Sequence, residues 1–309
     1  MIIDIHRHLV DKGFYSDIYW KSFAKMVLPI MKRMGVDADI EMIINNIVPV
    51  YLDTDGEKHI AAMEEAGIDK TVMLLFDTGL LIGEGTVSIE EQNEMVFASA
   101  KKYPEKIIPF VSIDPRRPNA ADFVKKAVEE YGAKGLKMHP GSGFNPEDKE
   151  TLNLVGSIAD YGIPVLIHTG ASIVPTMSKY CDPIYLDKML LEFPEVNVIA
   201  AHMSYGHRQQ LFALGMNRPN LYTDLSAWQT TAKDRFHEFS KVVKDAVIHF
   251  GPERVLFGTD NPYLWPVLPE PGYIQVIKDL ATKPPEEERL TKEEVDMILG
   301  ENAMSILSL

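Results

Sequence analysis

Eight short runs of apolar and β-branched residues recur along this chain, separated by stretches with helical spacing, and that alternation restricts the fold more than any other feature. The runs are Ile2–His6, Thr71–Leu75, Ile107–Ile113, Gly135–His139, Ile163–His168, Val196–His202, Leu221–Leu225 and Val255–Asp260. Between them, amphipathic stretches such as Glu57–Ala66, Glu90–Lys102, Ala120–Tyr131, Lys149–Tyr161, Leu186–Phe193 and Asp234–Phe250 end at or beside a glycine or before a proline. Strands separated by helices must run parallel, because a hairpin cannot contain a helix. Eight such units predict an α/β fold, a closed (β/α)8 TIM barrel. An open doubly wound sheet is the alternative, but it usually carries a glycine-rich phosphate turn after its first strand. Here that strand runs into His-Arg-His-Leu-Val.

A chain of 309 residues suits one barrel domain spanning 1–309. The spacing is irregular only between the first two strands. Residues 11–50 there are rich in Met, Ile, Tyr and Trp and read as a helical insertion. It leaves the C-terminal end of strand one, the active-site face of a barrel. It is expected to cover the site or to serve a subunit interface, which makes a homo-oligomer an expectation. Thr291–Leu309 reads as terminal helix.

The formal charge of −14 disfavours binding to nucleic acid or to an anionic membrane surface. A small-molecule substrate is the expected partner. A single cysteine, Cys181, excludes an internal disulfide. No signal-peptide pattern and no apolar run of membrane length is seen, so a cytoplasmic protein is expected.

Polar residues interrupt the apolar runs at consistent places. By simple strand alternation Asp4, His6 and His8 share one face and Ile3 and Ile5 the other. With the isoleucines assigned to the helices, the histidines point to the barrel axis. His168, His202 and Asp260 each end an apolar run, where barrel enzymes place catalytic groups. Imidazoles two apart at a strand end can converge on one cation.

The ordered set Asp4-Ile-His6-Arg-His8, the segment from Lys102 to Pro115, Gly135-Leu-Lys137-Met-His139-Pro, Pro164-Val-Leu-Ile-His168-Thr-Gly, His202 and Gly258-Thr-Asp260-Asn-Pro resembles the amidohydrolase superfamily, specifically its amidohydrolase-related (amidohydrolase 2) subgroup. The resemblance covers nearly the whole chain. It implies that His6, His8, His168 and Asp260 hold a divalent metal, zinc above others, with His202 beside it as a ligand of a second metal or as a catalytic base or polariser. Binuclear members bridge two metals through a carboxylated lysine at the end of strand four, the place of Lys137. One metal per chain is the expectation.

The expected reaction is hydrolysis of a small amide, lactone or related carbonyl compound. Asp260 would ligate the metal and move the proton of its water, and His202 would stabilise charge on the attacked oxygen. The alternative is non-oxidative decarboxylation of a small unsaturated or aromatic acid, a reaction found in the same subgroup. The sequence after His8, Leu-Val-Asp, and the histidine at the first position favour the hydrolase. His139, Trp228, Tyr263 and Trp265 are candidate pocket residues. His59, His237 and His249 are read as surface or helix-packing residues, and His207 as a weaker pocket candidate.

Overall fold

The computed structural model describes residues 1–33 and 35–309. Its strands are β1 (Ile3–His8), β2 (Lys70–Leu74), β3 (Ile107–Pro109), β4 (Val111–Ser112), β5 (Leu136–Met138), β6 (Val165–Ile167), β7 (Val198–Ala200), β8 (Leu221–Asp224) and β9 (Val255–Leu256). β3 and β4 are one barrel strand interrupted at Phe110, whose amide still bonds Met73 O at 3.0 Å. The ladders run β1-β2-β3 and β4 through β9 in sequence order, every pair parallel. The last strand returns to the first: Ile5 N–H donates to Phe257 O at 2.9 Å, and Asp260 N–H to His6 O at 2.8 Å. The fold is the (β/α)8 barrel that the alternation predicts. Two ten-residue helices, Arg208–Asn217 and Glu270–Asp279, were not anticipated; the apolar residues of the first make no clear stripe. The expected helix Lys149–Tyr161 stops at Gly156, and a short 3-10 turn follows.

The barrel interior corrects the expected facing of β1. Ile3 and Ile5 lie in one buried cluster with Val72, Leu74, Leu166, Ile199 and Leu256, drawn from strands around the barrel. The isoleucines therefore fill the interior rather than facing the helices. Against β2, Asp4 pairs with Thr71 and Arg7 with Met73, so three steps on β1 oppose two on β2. This bulge supplies one extra residue and reverses the alternation. His6 and His8 are thereby turned inward after two inward isoleucines, and Asp4 and Arg7 outward.

Outward, Asp4 and Arg7 form a buried network. The Asp4 carboxylate accepts from Arg7 Nε at 3.0 Å, Thr259 N at 3.0 Å and Thr259 Oγ1 at 2.6 Å. Arg7 also donates to Glu270 Oε1 at 3.0 Å. His59 is fully buried here, not at the surface, with Nε2 3.0 Å from His8 O. At the floor of the barrel Ala303, Ile306 and Leu307 of the terminal helix join the interior cluster.

Above the other end, Asp17–Arg33 forms a helix and residues 40–51 a second helical stretch. Tyr19, Trp20 and Phe23 of the first are buried against Phe76 and Leu75, which follow β2. Among the described residues no helix is long and apolar enough to cross a membrane.

Arg7→Met should leave the carboxylates of Asp4 and Glu270 buried without their cation. Breaking a buried ion pair on one side costs about 3–5 kcal/mol. Urea unfolding of the variant should show a loss of that size; a loss under 1 kcal/mol would refute the role.

Candidate active site

At the C-terminal ends of the strands, His6 Nε2 and His8 Nε2 lie 3.5 and 3.1 Å from the same oxygen, Oδ1 of Asp260. These three groups form a cluster with the spacing of metal ligands. Atoms bound to one cation at about 2.0–2.2 Å stand roughly 3–3.5 Å apart, so the spacing fits. Two backbone features produce it. Asp260 has φ +59°, which brings its side chain back over the strand end. Gly258 sits where a Cβ would meet His6 Cβ at 3.0 Å and Ser226 Cβ at 3.2 Å, so a glycine there lets β1 and β9 close.

His202 reaches the site in the same way. Ile199 and Ala201 face the interior, so alternation alone would point His202 outward. Its φ of +65°, followed by +44° at Met203 and +48° at Ser204, turns the imidazole in. Its Nε2 lies 3.0 Å from His168 Nδ1. His168 is thus brought beside His202 and does not join the cluster of His6, His8 and Asp260.

Asp224, at the end of β8, orients both halves of the site. Its Oδ2 is 2.9 Å from His6 Nδ1, and its Oδ1 accepts from His202 N at 2.9 Å. Ser226 Oγ donates to the same carboxylate and lies 2.7 Å from His202 Nδ1. These bonds settle the tautomers. His6 carries its proton on Nδ1 and offers the lone pair of Nε2 to the cluster. Since the Ser226 proton goes to Asp224, His202 Nδ1–H donates to Ser226. His202 Nε2 then accepts from His168 Nδ1–H, and His168 Nε2 keeps a lone pair, buried and without a partner among the described residues. A carboxylate behind a ligand histidine is the usual support of a metal site. Asp224 was passed over in the sequence, although the rule that singled out Asp260 also applies to it: an acidic residue at a strand's C-terminal end. The grouping of His6, His202 and Asp224 is filled by these hydrogen bonds and does not make a second metal position.

The electrostatics favour neutral ligands. Burial holds His6, His8 and His168 well below the ordinary histidine range, with Lys137 and neighbouring imidazoles adding to the effect. Burial likewise pushes His202 down to about 4 and His139 to about 3. Lys137 Nζ lies 3.1 Å from His6 Nε2, and burial lowers it to about 8, against the pull of Asp260 and Asp224. Burial raises the Asp260 carboxyl, opposed by His202 and Lys137.

These groups floor a cavity of about 240 Å³. His8, Lys137, His139, His168, His202 and Asp260 line it below; Phe23, Met26, Phe76, Ile173, Tyr263 and Leu264 form its walls. Tyr263 and His139 line this cavity. Trp228 and Trp265 do not. The Trp228 indole turns away to donate to His202 O at 2.7 Å, and Trp265 donates to Glu270 Oε1 at 2.7 Å in the outer network. Both follow strand ends, but each indole N–H finds its acceptor behind the site. His207 pairs with Asp182 at 3.3 Å, outside the cavity lining.

The chain matches the amidohydrolase family model over residues 3–309 and belongs to that family. No curated protein matches it significantly. Among solved structures, it resembles an uncharacterized TIM-barrel protein, Bb4693, from Bordetella bronchiseptica, at 21% identity and TM-score 0.67, over 99% of this chain and 98% of that one. A dihydroxybenzoic acid decarboxylase from Polaromonas, with bound manganese and the inhibitor 2-nitroresorcinol, aligns at 14% identity and TM-score 0.63, over 100% and 97%. An amidohydrolase from Burkholderia multivorans with bound zinc aligns at 14% identity and TM-score 0.70, over 100% and 99%. At these identities the likeness is one of fold.

Asp224→Asn should free the His6 ring and weaken divalent-metal affinity about 10–100-fold, read by competition with a chromogenic chelator; unchanged affinity would sink the orienting role. Acid should also destabilise the metal-free protein. Six histidines (His6, His8, His59, His139, His168 and His202) are held neutral in the fold, below their ordinary value of 6.5. Below pH 6.5 the unfolded chain takes up protons that the fold refuses, so stability falls as pH falls. Each histidine contributes about 1.4 kcal/mol per pH unit. Urea midpoints at pH 7 and pH 5.5 should differ strongly, and equal midpoints would contradict this.

Proposed function

We propose that this protein is a metal-dependent non-oxidative decarboxylase of a small planar aromatic or unsaturated carboxylic acid. The observation that carries the reading is the shape and lining of the cavity. Its walls are aromatic and aliphatic, and Lys137, Asp260 and four histidines line it below. A small acid enters such a cavity with its carboxylate toward the ionisable groups and its apolar body against wall residues such as Phe76, Ile173 and Leu264. A second support is the decarboxylase among the structures of the same fold, which carries manganese and a planar nitro-resorcinol.

His6, His8 and Asp260 would hold one divalent ion per chain, zinc or manganese, and His168 would reach it through the free Nε2. When bound, that ion supplies positive charge that fixes the substrate oxygens and draws electron density from the ring. The remaining work belongs to the side chains. Lys137 and His139 flank the carboxylate end, and Phe76 packs on the apolar body. The bond between ring carbon and carboxylate breaks, and its electron pair stays on the carbon. Asp260 would deliver the proton that replaces carbon dioxide. His202 is held by Ser226 and by the Trp228 bond to its carbonyl, and it keeps the floor rigid.

This reverses the preference drawn from the residues after His8. Hydrolysis keeps one specific support, the histidine at both first-strand positions. The two readings part in one experiment. Metal-loaded protein is offered a panel of hydroxybenzoates and unsaturated acids beside small lactones and amides. Carbon dioxide release, lost by at least 10³-fold in His6→Ala and Asp260→Asn, is the expected result. Turnover of a lactone or amide without any carbon dioxide release would replace the decarboxylase by the hydrolase.

A further inference from the structure

The apolar half of the cavity meets a part of the ligand that the chemistry at the floor does not touch. Phe76 stands near the floor, its ring 5.4 Å from that of His8 and 5.3 Å from that of His139. Met26 and Leu264 are half-buried and Ile173 is 39% exposed, so these three stand nearer the mouth. Past Ile173 the apolar surface continues outward through Val174 and Met177, both exposed. Phe23 joins the wall from the insertion. The thioether of Met26 is a weak acceptor, and the other side chains neither donate nor accept.

Tyr263 is the wall residue with a hydroxyl, and that hydroxyl is engaged elsewhere. Its Oη lies 3.4 Å from Tyr19 Oη and also faces Tyr15, and neither of those tyrosines lines the cavity. Its ring packs edge-on against His8 at 5.7 Å, on the floor side. A second cation is lacking too: among the described lining residues, Lys137 alone is a lysine or arginine. Arg116, which approaches Met177 and Leu81 around Gly143, is taken up by Asp114 and by the carbonyls of Ser142 and Gly143. The buried lining atoms without a partner, His8 Nδ1, His139 Nδ1 and His168 Nε2, all belong to imidazoles of the floor. Polarity is thus confined to one end of the cavity. A hydroxyl or second carboxylate at the other end would leave water without gaining a side-chain partner, which weakens binding roughly tenfold or more.

We propose that the cavity selects a monocarboxylic acid whose far end is hydrocarbon, such as a ring carrying a small alkyl group, with Phe23, Met26 and Ile173 as the specificity-determining residues. This rests on the reading that an acid binds with its carboxylate toward the floor. The size agrees. An apolar cavity of about 150 Å³ holds benzene, so about 240 Å³ leaves room for a ring, its carboxylate and a few further carbons. Each methylene taken from water against this wall tightens binding about fourfold. Two of the three residues come from the insertion, which therefore shares in the selection.

The test is binding, kept separate from turnover. Dissociation constants of benzoate and of its 3- and 4-substituted methyl, ethyl, hydroxy and carboxy derivatives are measured by calorimetry on the metal-loaded full-length protein. At one of the two positions, methyl should bind about threefold or more tighter than hydrogen, and alkyl should exceed hydroxyl and carboxylate about tenfold or more. Ile173→Asn and Met26→Gln place amides of similar size on the wall, and each should cut the alkyl-to-hydroxyl ratio about fivefold or more. Met216→Gln, on a side chain 67% exposed and outside the cavity lining, should leave the ratio unchanged. Metal content and circular dichroism of the variants serve as folding controls. A preference for hydroxyl or carboxylate at both positions, no binding of any member, or a ratio that survives either wall substitution overturns the proposal. Alkyl preference in binding without carbon dioxide release from any acid would leave this inference standing and remove the decarboxylase instead. Carbon dioxide release confined to the hydroxy acids would do the reverse.

Discussion

The site depends on one buried carboxylate that takes no part in chemistry. Asp4 accepts from His6 N, Arg7 Nε and both the amide and hydroxyl of Thr259. Thr259 immediately precedes Asp260. The first strand carries two candidate ligands and the last carries the third, at opposite ends of the sequence. Asp4 is the point at which they are pinned together, and Arg7 extends the pin to Glu270 in the surrounding helices. A charge cluster of this kind is weak as a source of stability, because removing charges from water costs several kcal/mol per ion. Its value lies in register. Displacement of β9 along β1 would break several bonds to Asp4 together.

The same logic governs the interior. Asp224 does for His6 and His202 what Asp4 does for the strands: one acceptor fixes the orientation of several donors. Six imidazoles are kept neutral by burial, and each therefore needs a defined tautomer. Asp224 sets His6 directly, and through Ser226 it sets His202 and His168 in sequence. Buried polar networks are favourable only when nearly every member is satisfied. Among the described residues, three of the eight buried side-chain atoms without a partner, His8 Nδ1, His139 Nδ1 and His168 Nε2, belong to residues that line the cavity.

Much of this was legible in the sequence, and the failures have physical causes. The eight strands announced themselves because each is fully buried and therefore apolar, and each of His6, His8, His168, His202 and Asp260 broke an apolar run at its end. Direction was harder to read. Strand alternation assigned Ile3 and Ile5 to the helices, because a bulge leaves no mark in composition. The inward turns of His202 and Asp260 come from positive φ at non-glycine residues, which local sequence does not advertise. Trp228 and Trp265 lie near strand ends in sequence, but their indoles follow acceptors that only the folded chain presents. Asp224 needed no new rule; a short strand with a tyrosine and a threonine ahead of it simply drew less attention than a histidine.

The insertion after β1 contributes Phe23 and Met26 to the cavity, and Tyr15 and Tyr19 behind its wall, yet none of the three clustered metal-site candidates. Part of the cavity wall is therefore carried apart from the strand-end cluster. Substitutions, or changes of length, within residues 11–50 can alter which molecule is accepted and leave the strand-end histidines undisturbed. A lineage built on this plan can diversify its diet through one insertion while its reactive centre is inherited intact.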